Sequence, residues 1–338
     1  MNNSASVSSV VDPLEGYAWP AELREALAIE SENVEFEREK LFDLSSRCDG
    51  QYFTLTFLSR EYLPLGPLWA ECAAKAGVKH FAIGTMDEET AYEMERRHLP
   101  HFWVKLSPSL AFSEGFVNRA GFNGKALGII YCRHKIVMEL LARGIHVLCC
   151  DIDALIVRYP FDELSRADLA FQRIVHLPKR TAFKWGFSLC GGFVACRACP
   201  SLILLIKTVI NFQKEVSSDQ LAWNLALEMQ DVSWDRAAKK YTDKESLIRE
   251  FVLSANDIIS GQIKKLGLHV EALPATRFWR HKFVPLDSAR CMVLHPNSPK
   301  TLDGKLDVFK TILGCPDSYG ATEVARTIER MVHSGENK

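Results

Sequence analysis

The sequence predicts an α/β fold, a mainly parallel sheet covered by helices on both faces. Two observations predict it. Short apolar runs of strand length alternate with segments of helical period along most of the chain. One of these runs, Val147-Leu148-Cys149-Cys150, is apolar throughout, the pattern of a strand buried on both faces. Composition agrees: 338 residues, 47% hydrophobic and 25% charged, are enough to bury a core without disulfide staples.

The elements follow in order. Residues 1–15 are rich in Ser and Asn and read as disordered. Residues 20–44 open at Pro20, carry many Glu, and read as a charged amphipathic helix. Cys48-Asp49-Gly50 is a turn. Residues 52–57 alternate Phe53, Leu55 and Phe57 with Thr54 and Thr56, which is strand periodicity. Pro67 opens the next helix and Gly77 closes it. Residues 81–84 form a second strand that ends near Asp87. Leu127, Ile130, Tyr131, His134, Val137, Met138 and Leu141 recur at helical spacing up to Gly144, and residues 145–150 return to strand. Strands are expected at 168–174, 189–196, 267–272 and 291–295. Helices are expected from Pro200 to about 212, from about 217, and from about 321. The chain divides into an N-terminal segment with a helix (1–50), one large domain (51–316) and a C-terminal helix and tail (317–338).

Charge and cysteine use narrow the function classes. Lys and Arg number 41 against 42 Asp and Glu. That balance argues against a nucleic-acid-coating or polybasic membrane-surface protein. Ten cysteines are too few for a disulfide scaffold at this length, and Cys132, Cys149, Cys150 and Cys190 lie in apolar runs as buried thiols would. Cys196 and Cys199 make a single C-x-x-C pair with no second pair to complete a zinc site. No secretory segment and no membrane span is read from the sequence, so a cytoplasmic protein is the expectation.

The chemistry concentrates at Asp151-Ile152-Asp153, directly after the apolar run. In α/β sheets ligands sit beyond the carboxyl ends of strands. If the backbone stays extended, residues i and i+2 share a face, so both carboxylates point one way and Ile152 points to the core. Two adjacent carboxylates repel, and a divalent cation relieves that repulsion. The same tripeptide also serves as an ordinary solvated loop start. Two enzyme classes place such a pair after an apolar strand. Phosphatases of haloacid-dehalogenase type use the first Asp as nucleophile, but they continue Gly-Thr where this chain has Ala154-Leu155. The other class is the sugar-nucleotide-dependent glycosyltransferases of GT-A fold.

The surrounding residues favour the second class. Arg133-His134-Lys135, then Leu140-Leu141-Ala142-Arg143-Gly144, the strand, the Asp pair and Pro160-Phe161 follow one another. Cys190-Gly191-Gly192-Phe193, Ser218-Asp219-Gln220 with Asn224, and Val293-Leu294-His295-Pro296-Asn297 with Gly304-Lys305 come later in the same order. Together these resemble the nucleotide-diphospho-sugar transferase family, which includes plant xylosyl- and arabinosyltransferases and α-galactosyltransferases that retain anomeric configuration. The resemblance spans roughly 52–313. Tyr159, Cys190 and the Leu155-Ile156 pair depart from the residues commonest at their positions in that family.

The resemblance implies a GT-A, Rossmann-like catalytic domain with a mixed, mainly parallel sheet. It also implies a UDP-sugar donor, an acceptor that is a glycan, protein or small molecule, and Mn²⁺ or Mg²⁺ as cofactor. Asp151, Asp153 and His295 are the implied metal ligands, and imidazole beside carboxylates favours Mn²⁺. Asp219 and Gln220 are implied to lie against the sugar, although Ser217-x-x-Gln220 also reads as a plain helix-capping box. Lys135 and Lys305 would contact the donor, with Lys300 competing for the second role. Asp151, Gly192, Thr54 near the end of the first strand and Asp87 after the second complete the expected donor site. A phosphatase using Asp151 and Asp153, or a nucleotide-sugar-binding domain without turnover, are the alternatives.

Overall fold

The computed structural model describes residues 34–48, 50–106, 124–164, 166–175, 177–216, 218–236, 241, 243–280, 283–287, 289–297 and 301–313. The expectations for residues 1–15, for Ser217, for Lys300 and for the chain from 321 onward lie outside these residues.

In chain order the strands are β1 (Val34–Phe36), β2 (Phe53–Leu58), β3 (Phe81–Thr85), β4 (His101–Leu106), β5 (Val147–Cys150), β6 (Leu155–Ile156) and β7 (Leu169–Ile174). Then come β8 (Ser188–Cys196), β9 (Ser233–Trp234), β10 (Ile259–Ile263), β11 (Leu268–Leu273), β12 (Phe278–Trp279) and β13 (Val293–Leu294). Among the described residues they build one large sheet, ordered β1-β4-β3-β2-β5-β8-β7-β11-β10-β9, and a small one, β12-β13-β6. From β4 to β5 the neighbours run parallel. Beyond β5, strand β8 is antiparallel to both β5 and β7, and β11 is parallel to β7. The helix-flanked, mixed α/β sheet expected from the sequence is the one found.

Side-chain alternation explains why both faces are covered. Phe53, Leu55 and Phe57 of β2 enter one core with Val137, Leu141 and Ile206, while Leu58 enters a second core with Trp69, Leu155 and Phe309. The first core is roofed by the helices Gly124–Ala142, Pro200–Glu215 and Asp219–Met229. The second takes the helix Leu65–Lys75, the small sheet and the helix Leu302–Leu313. Among the described residues no helix is long and apolar enough to cross a membrane.

Tertiary pairing overrides local pattern at several places. The helix expected over 20–44 is found, among the described residues, only as Arg38–Ser45. Val34, Glu35 and Phe36 pair instead with Leu106, Lys105 and Val104 of β4, covering what would be an open sheet edge. The strand β4 and the helix Glu88–Arg96 go beyond the sequence reading. The end of that reading, Asp87, is the N-cap of this helix and accepts from the Thr90 N–H at 3.0 Å.

Two buried polar links hold the roof, one among its helices and one between a helix and the sheet. Trp223 Nε1–H donates to His134 Nε2 at 2.8 Å, and His134 Nδ1 lies 3.0 Å from Gln213 Oε1. These contacts join three helices through one satisfied histidine. Asn224 Oδ1 accepts from the Leu189 N–H at 3.1 Å, and its Nδ2 donates to the carbonyls of Leu189 at 2.8 Å and Gln220 at 2.7 Å. That clamp ties the start of the helix Asp219–Met229 to β8. Asn224→Ala will leave both Leu189 backbone groups buried without these partners and cost about 2–4 kcal/mol. Urea denaturation reads this directly; a midpoint unchanged from wild type would show that the clamp is dispensable.

Candidate functional site

The site forms where β5 ends. The register of β2 and β5 places Phe53 beside Val147, so Asp151 leaves the sheet at the carboxyl end of a parallel strand. The Asp pair does not continue extended. Asp151 O accepts from the Ala154 N–H at 2.9 Å, a turn that buries Ile152 and still leaves both carboxylates on one side. The expected shared face therefore arises from a tight turn rather than from strand pleating. Immediately afterwards β6 pairs antiparallel with β13, Leu155 beside Leu294, which brings His295 to the Asp pair. His295 Nε2 lies 3.6 Å from Asp151 Oδ2 and 3.3 Å from Asp153 Oδ1. One ligand atom from each of Asp151, Asp153 and His295 can be chosen so that all lie within 4.8 Å of one another, a set able to hold a metal ion.

A second group of residues meets the first through a bulge. Between Phe171 and Gln172 the β7–β8 pairing jumps from Val194 to Cys190, so Gly191, Gly192 and Phe193 are accommodated on one strand only. Both glycines face the site. A Cβ on Gly192 would collide with the Asp151 carboxylate and with His295, and one on Gly191 would collide with the Asp219 carboxylate. Arg133, from the middle of the helix Gly124–Ala142, reaches this point. Its guanidinium donates to Asp151 Oδ1 at 2.8 Å and to the Gly191 carbonyl at 3.0 Å, and pairs with Asp219 Oδ2. Asp219 itself opens the helix Asp219–Met229, whose N-cap Ser218 accepts from the Leu221 N–H.

Burial and charge set the electrostatics. Burial alone would raise the Asp153 pKa, but His295 and Lys305 overcome it and hold the carboxyl well below the usual range. Burial and then Arg280 would lower the His295 pKa; Asp153 and then the Cys190 thiol together outweigh both, and the imidazole is raised above its ordinary value. Burial would raise the Cys190 thiol, yet Arg280 and His295 bring it below the ordinary thiol value. Burial works against the charge on Arg133 as well, and Asp151 more than offsets it. The Tyr62 hydroxyl is pushed up by burial and then by the charges of Asp153, Glu61 and Asp151.

The expected site residues divide into two sets. Asp151, Asp153, Gly192, Asp219, His295 and Lys305 come together, Lys305 through an ion pair with Asp153 Oδ2. Gln220 lies next to Asp219 and donates to the Leu177 carbonyl. Lys135 is buried with its ammonium 4.8 Å from the centroid of the Tyr131 ring, and Arg133 of the same helix reaches the carboxylates. Thr54 stands apart. It is fully buried, beside Leu148, three residues before Asp151, so it belongs to the sheet interior rather than to a ligand surface. Asp87 is committed to structure, with Oδ1 accepting from Thr90 N–H and Oδ2 from Arg60 N–H.

Arg133, Gln172 and Arg280 are site residues that the sequence reading did not assign. Gln172 Oε1 lies 2.8 Å from His295 Nδ1, and Arg280 lies against the His295 ring. A polar signal was available for two of them: Arg133 interrupts an apolar helical stripe, and Gln172 sits inside the fully buried strand β7. A buried charge or amide demands partners, but the sequence does not name them.

Residues 76–309 match the family described as nucleotide-diphospho-sugar transferase. No curated protein matches the sequence. Similar solved structures include the bifunctional glycosyltransferase WbbM at 11% identity and a TM-score of 0.37, covering 53% of this chain and 37% of that one. Another is the galactosyltransferase LgtC, in complex with donor and acceptor sugar analogues, at 15% identity and 0.36, covering 51% and 69%. Mouse xyloside xylosyltransferase 1 is similar at 12% identity and 0.34, covering 53% and 82%. The chain thus spans well under half the length of WbbM.

Arg133→Met will strand Asp219, whose side chain is 14% exposed, and remove a partner from Asp151, which is 36% exposed. The expected loss is about 3 kcal/mol at neutral pH. Urea denaturation of variant and wild type measures it. Equal midpoints for variant and wild type at neutral pH would contradict a compensating role for the guanidinium.

Proposed function

The chain belongs to the nucleotide-diphospho-sugar transferase family, and from that premise we propose that it moves a sugar from a UDP-sugar to an acceptor with retention of anomeric configuration. The convergence of Asp151, Asp153 and His295 carries this reading. Two distant parts of the sequence, Asp151-Ile152-Asp153 and His295, meet at the carboxyl end of a parallel strand, the place where ligands bind in α/β sheets. Two carboxylates and an imidazole fit a divalent cation, and the nitrogen favours Mn²⁺ over Mg²⁺. When bound, that cation supplies Lewis-acid stabilisation of the charge that develops on the departing diphosphate.

The chain's own residues do the remainder. Lys305, held against Asp153, is a point-charge partner for the diphosphate. Arg133 fixes Asp219 through one carboxylate oxygen, which holds that side chain at the edge of the cluster. From there Asp219 binds sugar hydroxyls or stabilises positive charge at the anomeric carbon, with Gln220 beside it. Gly192 leaves the room in which Asp151 and His295 approach each other. The acceptor is a glycan, a protein or a small molecule.

The test is UDP release from a panel of UDP-sugars, with Mn²⁺ or with chelator, for wild type and Asp153→Ala. Manganese-dependent release from one donor, reduced at least about a hundredfold in the variant, is the expected result. Absence of release from every donor, with UDP binding also absent, would overturn the transferase reading. A pH series gives a second prediction. Because the His295 pKa is raised, its ring is protonated at pH values where a free imidazole is neutral, and the cation must displace that proton. Mn²⁺ affinity will therefore fall by about tenfold per pH unit below the His295 pKa and level off above it. The same slope in His295→Ala would assign the titration elsewhere.

A further inference from the structure

We propose that Gln172 is a positioning residue for the cation site: its amide fixes which nitrogen of His295 carries the proton. The proposal rests on the cation reading above, and its argument begins with hydrogen-bond polarity. Gln172 is fully buried, so water does not compete for its amide. Two of its neighbours are backbone carbonyls, Phe278 O at 3.0 Å and Trp279 O at 3.2 Å. Carbonyls only accept, so the NH₂ group must face them. The amide orientation is therefore dictated by its surroundings.

Its oxygen then faces His295, with Oε1 2.8 Å from Nδ1. An amide oxygen only accepts, so Nδ1 must carry a hydrogen. In the neutral ring the lone pair is thereby left on Nε2, the nitrogen that lies 3.6 Å from Asp151 Oδ2 and 3.3 Å from Asp153 Oδ1. A metal ligand needs that lone pair, and a partner on the opposite nitrogen is how proteins orient ligating histidines.

Asp153 and Asp151, which only accept, face Nε2 and hold a proton there until a cation takes its place; the remaining neighbours of the ring do not choose between the nitrogens. The Cys190 thiol, which hydrogen-bonds to His295, both donates and accepts. Arg280 Nη1 is 2.7 Å from Nδ1 and also close to Nε2. An atom so near both nitrogens lies over the ring face, away from the in-plane lone pair of either. The backbone helps by fixing the ring's origin, since the His295 N–H donates to Trp279 O at 2.9 Å. Trp279 O is also one of the two carbonyls that orient Gln172, so amide and imidazole are referenced to one peptide group. The β7–β8 bulge begins at Gln172 and sets the start of this chain of contacts.

A purely structural role would be different. Gln172 also joins β7 to β12 through its NH₂ group, and any substitution there weakens that joint. The tautomer separates the two roles. Long-range ¹H–¹⁵N NMR of histidine-labelled protein loaded with diamagnetic Mg²⁺ reports which nitrogen of His295 keeps its proton when the cation is bound; manganese EPR reports Mn²⁺ affinity without turnover. Wild type is expected to show Nδ1–H. Gln172→Leu is expected to lose that preference and to bind Mn²⁺ about tenfold to a hundredfold more weakly. Gln172→Glu keeps an acceptor for Nδ1–H while losing the NH₂ group; it is expected to retain the tautomer and the affinity within a few-fold despite lower stability. A wild-type His295 protonated on Nε2 overturns the proposal without recourse to any variant. Equal Mn²⁺ affinity in wild type and Gln172→Leu overturns the role of Gln172 and leaves the cation site standing. Wild type that binds no Mn²⁺ removes the cation site, and this role with it.

Discussion

A buried guanidinium is the constraint on which the site depends. Arg133 can carry its charge there only because Asp151, Asp219 and the Gly191 carbonyl surround it. Those three partners come from the end of β5, the first turn of a helix and the bulge of β8. Satisfying one charge thus fixes the relative positions of three elements. The glycines at 191 and 192 are the steric counterpart, since a side chain at either would occupy the space that the carboxylates use.

Around that anchor the charges alternate in sign. Asp219, Arg133, Asp151, His295, Asp153 and Lys305 follow one another in a connected series. Each acidic group touches at least one basic group, so the cluster tolerates burial that isolated charges would not. His295 and Lys305 keep Asp153 ionised, and Arg133 orients Asp151 and Asp219, before any ligand arrives. Preorganisation of this kind reduces the rearrangement that binding would otherwise require.

The legible part of the fold was the part governed by period. Val147-Leu148-Cys149-Cys150 announced a strand, the charges at 151 and 153 announced its end, and His295 stood where an apolar run stopped. Those signals are local. Period does not encode that β6 pairs with β13, and that pairing is what unites His295 with the Asp pair. The same limit explains the misplacements. Thr54 and Asp87 looked like strand-end residues, yet one is interior and the other serves as a helix cap, because exact strand ends depend on neighbours. Val34–Phe36 read as helix and became strand because an edge was free to receive it. Gln172 and Arg133 were visible as polar interruptions, but an interruption identifies a need for a partner and not the partner.

The small sheet has a consequence for synthesis. Lys305 and Asp153 are 152 positions apart, and the strand that brings in His295 precedes Lys305 by only a few residues. A ribosome making this chain completes β2 to β5 and the Asp pair long before either late partner emerges. During that interval the carboxylates face solvent at the end of a half-built sheet, where water supplies the hydration their later neighbours replace. The segment from β13 to Lys305 therefore closes the site, and a chain released before residue 295 would retain the main sheet's strands while lacking the imidazole and the ammonium that complete the cluster.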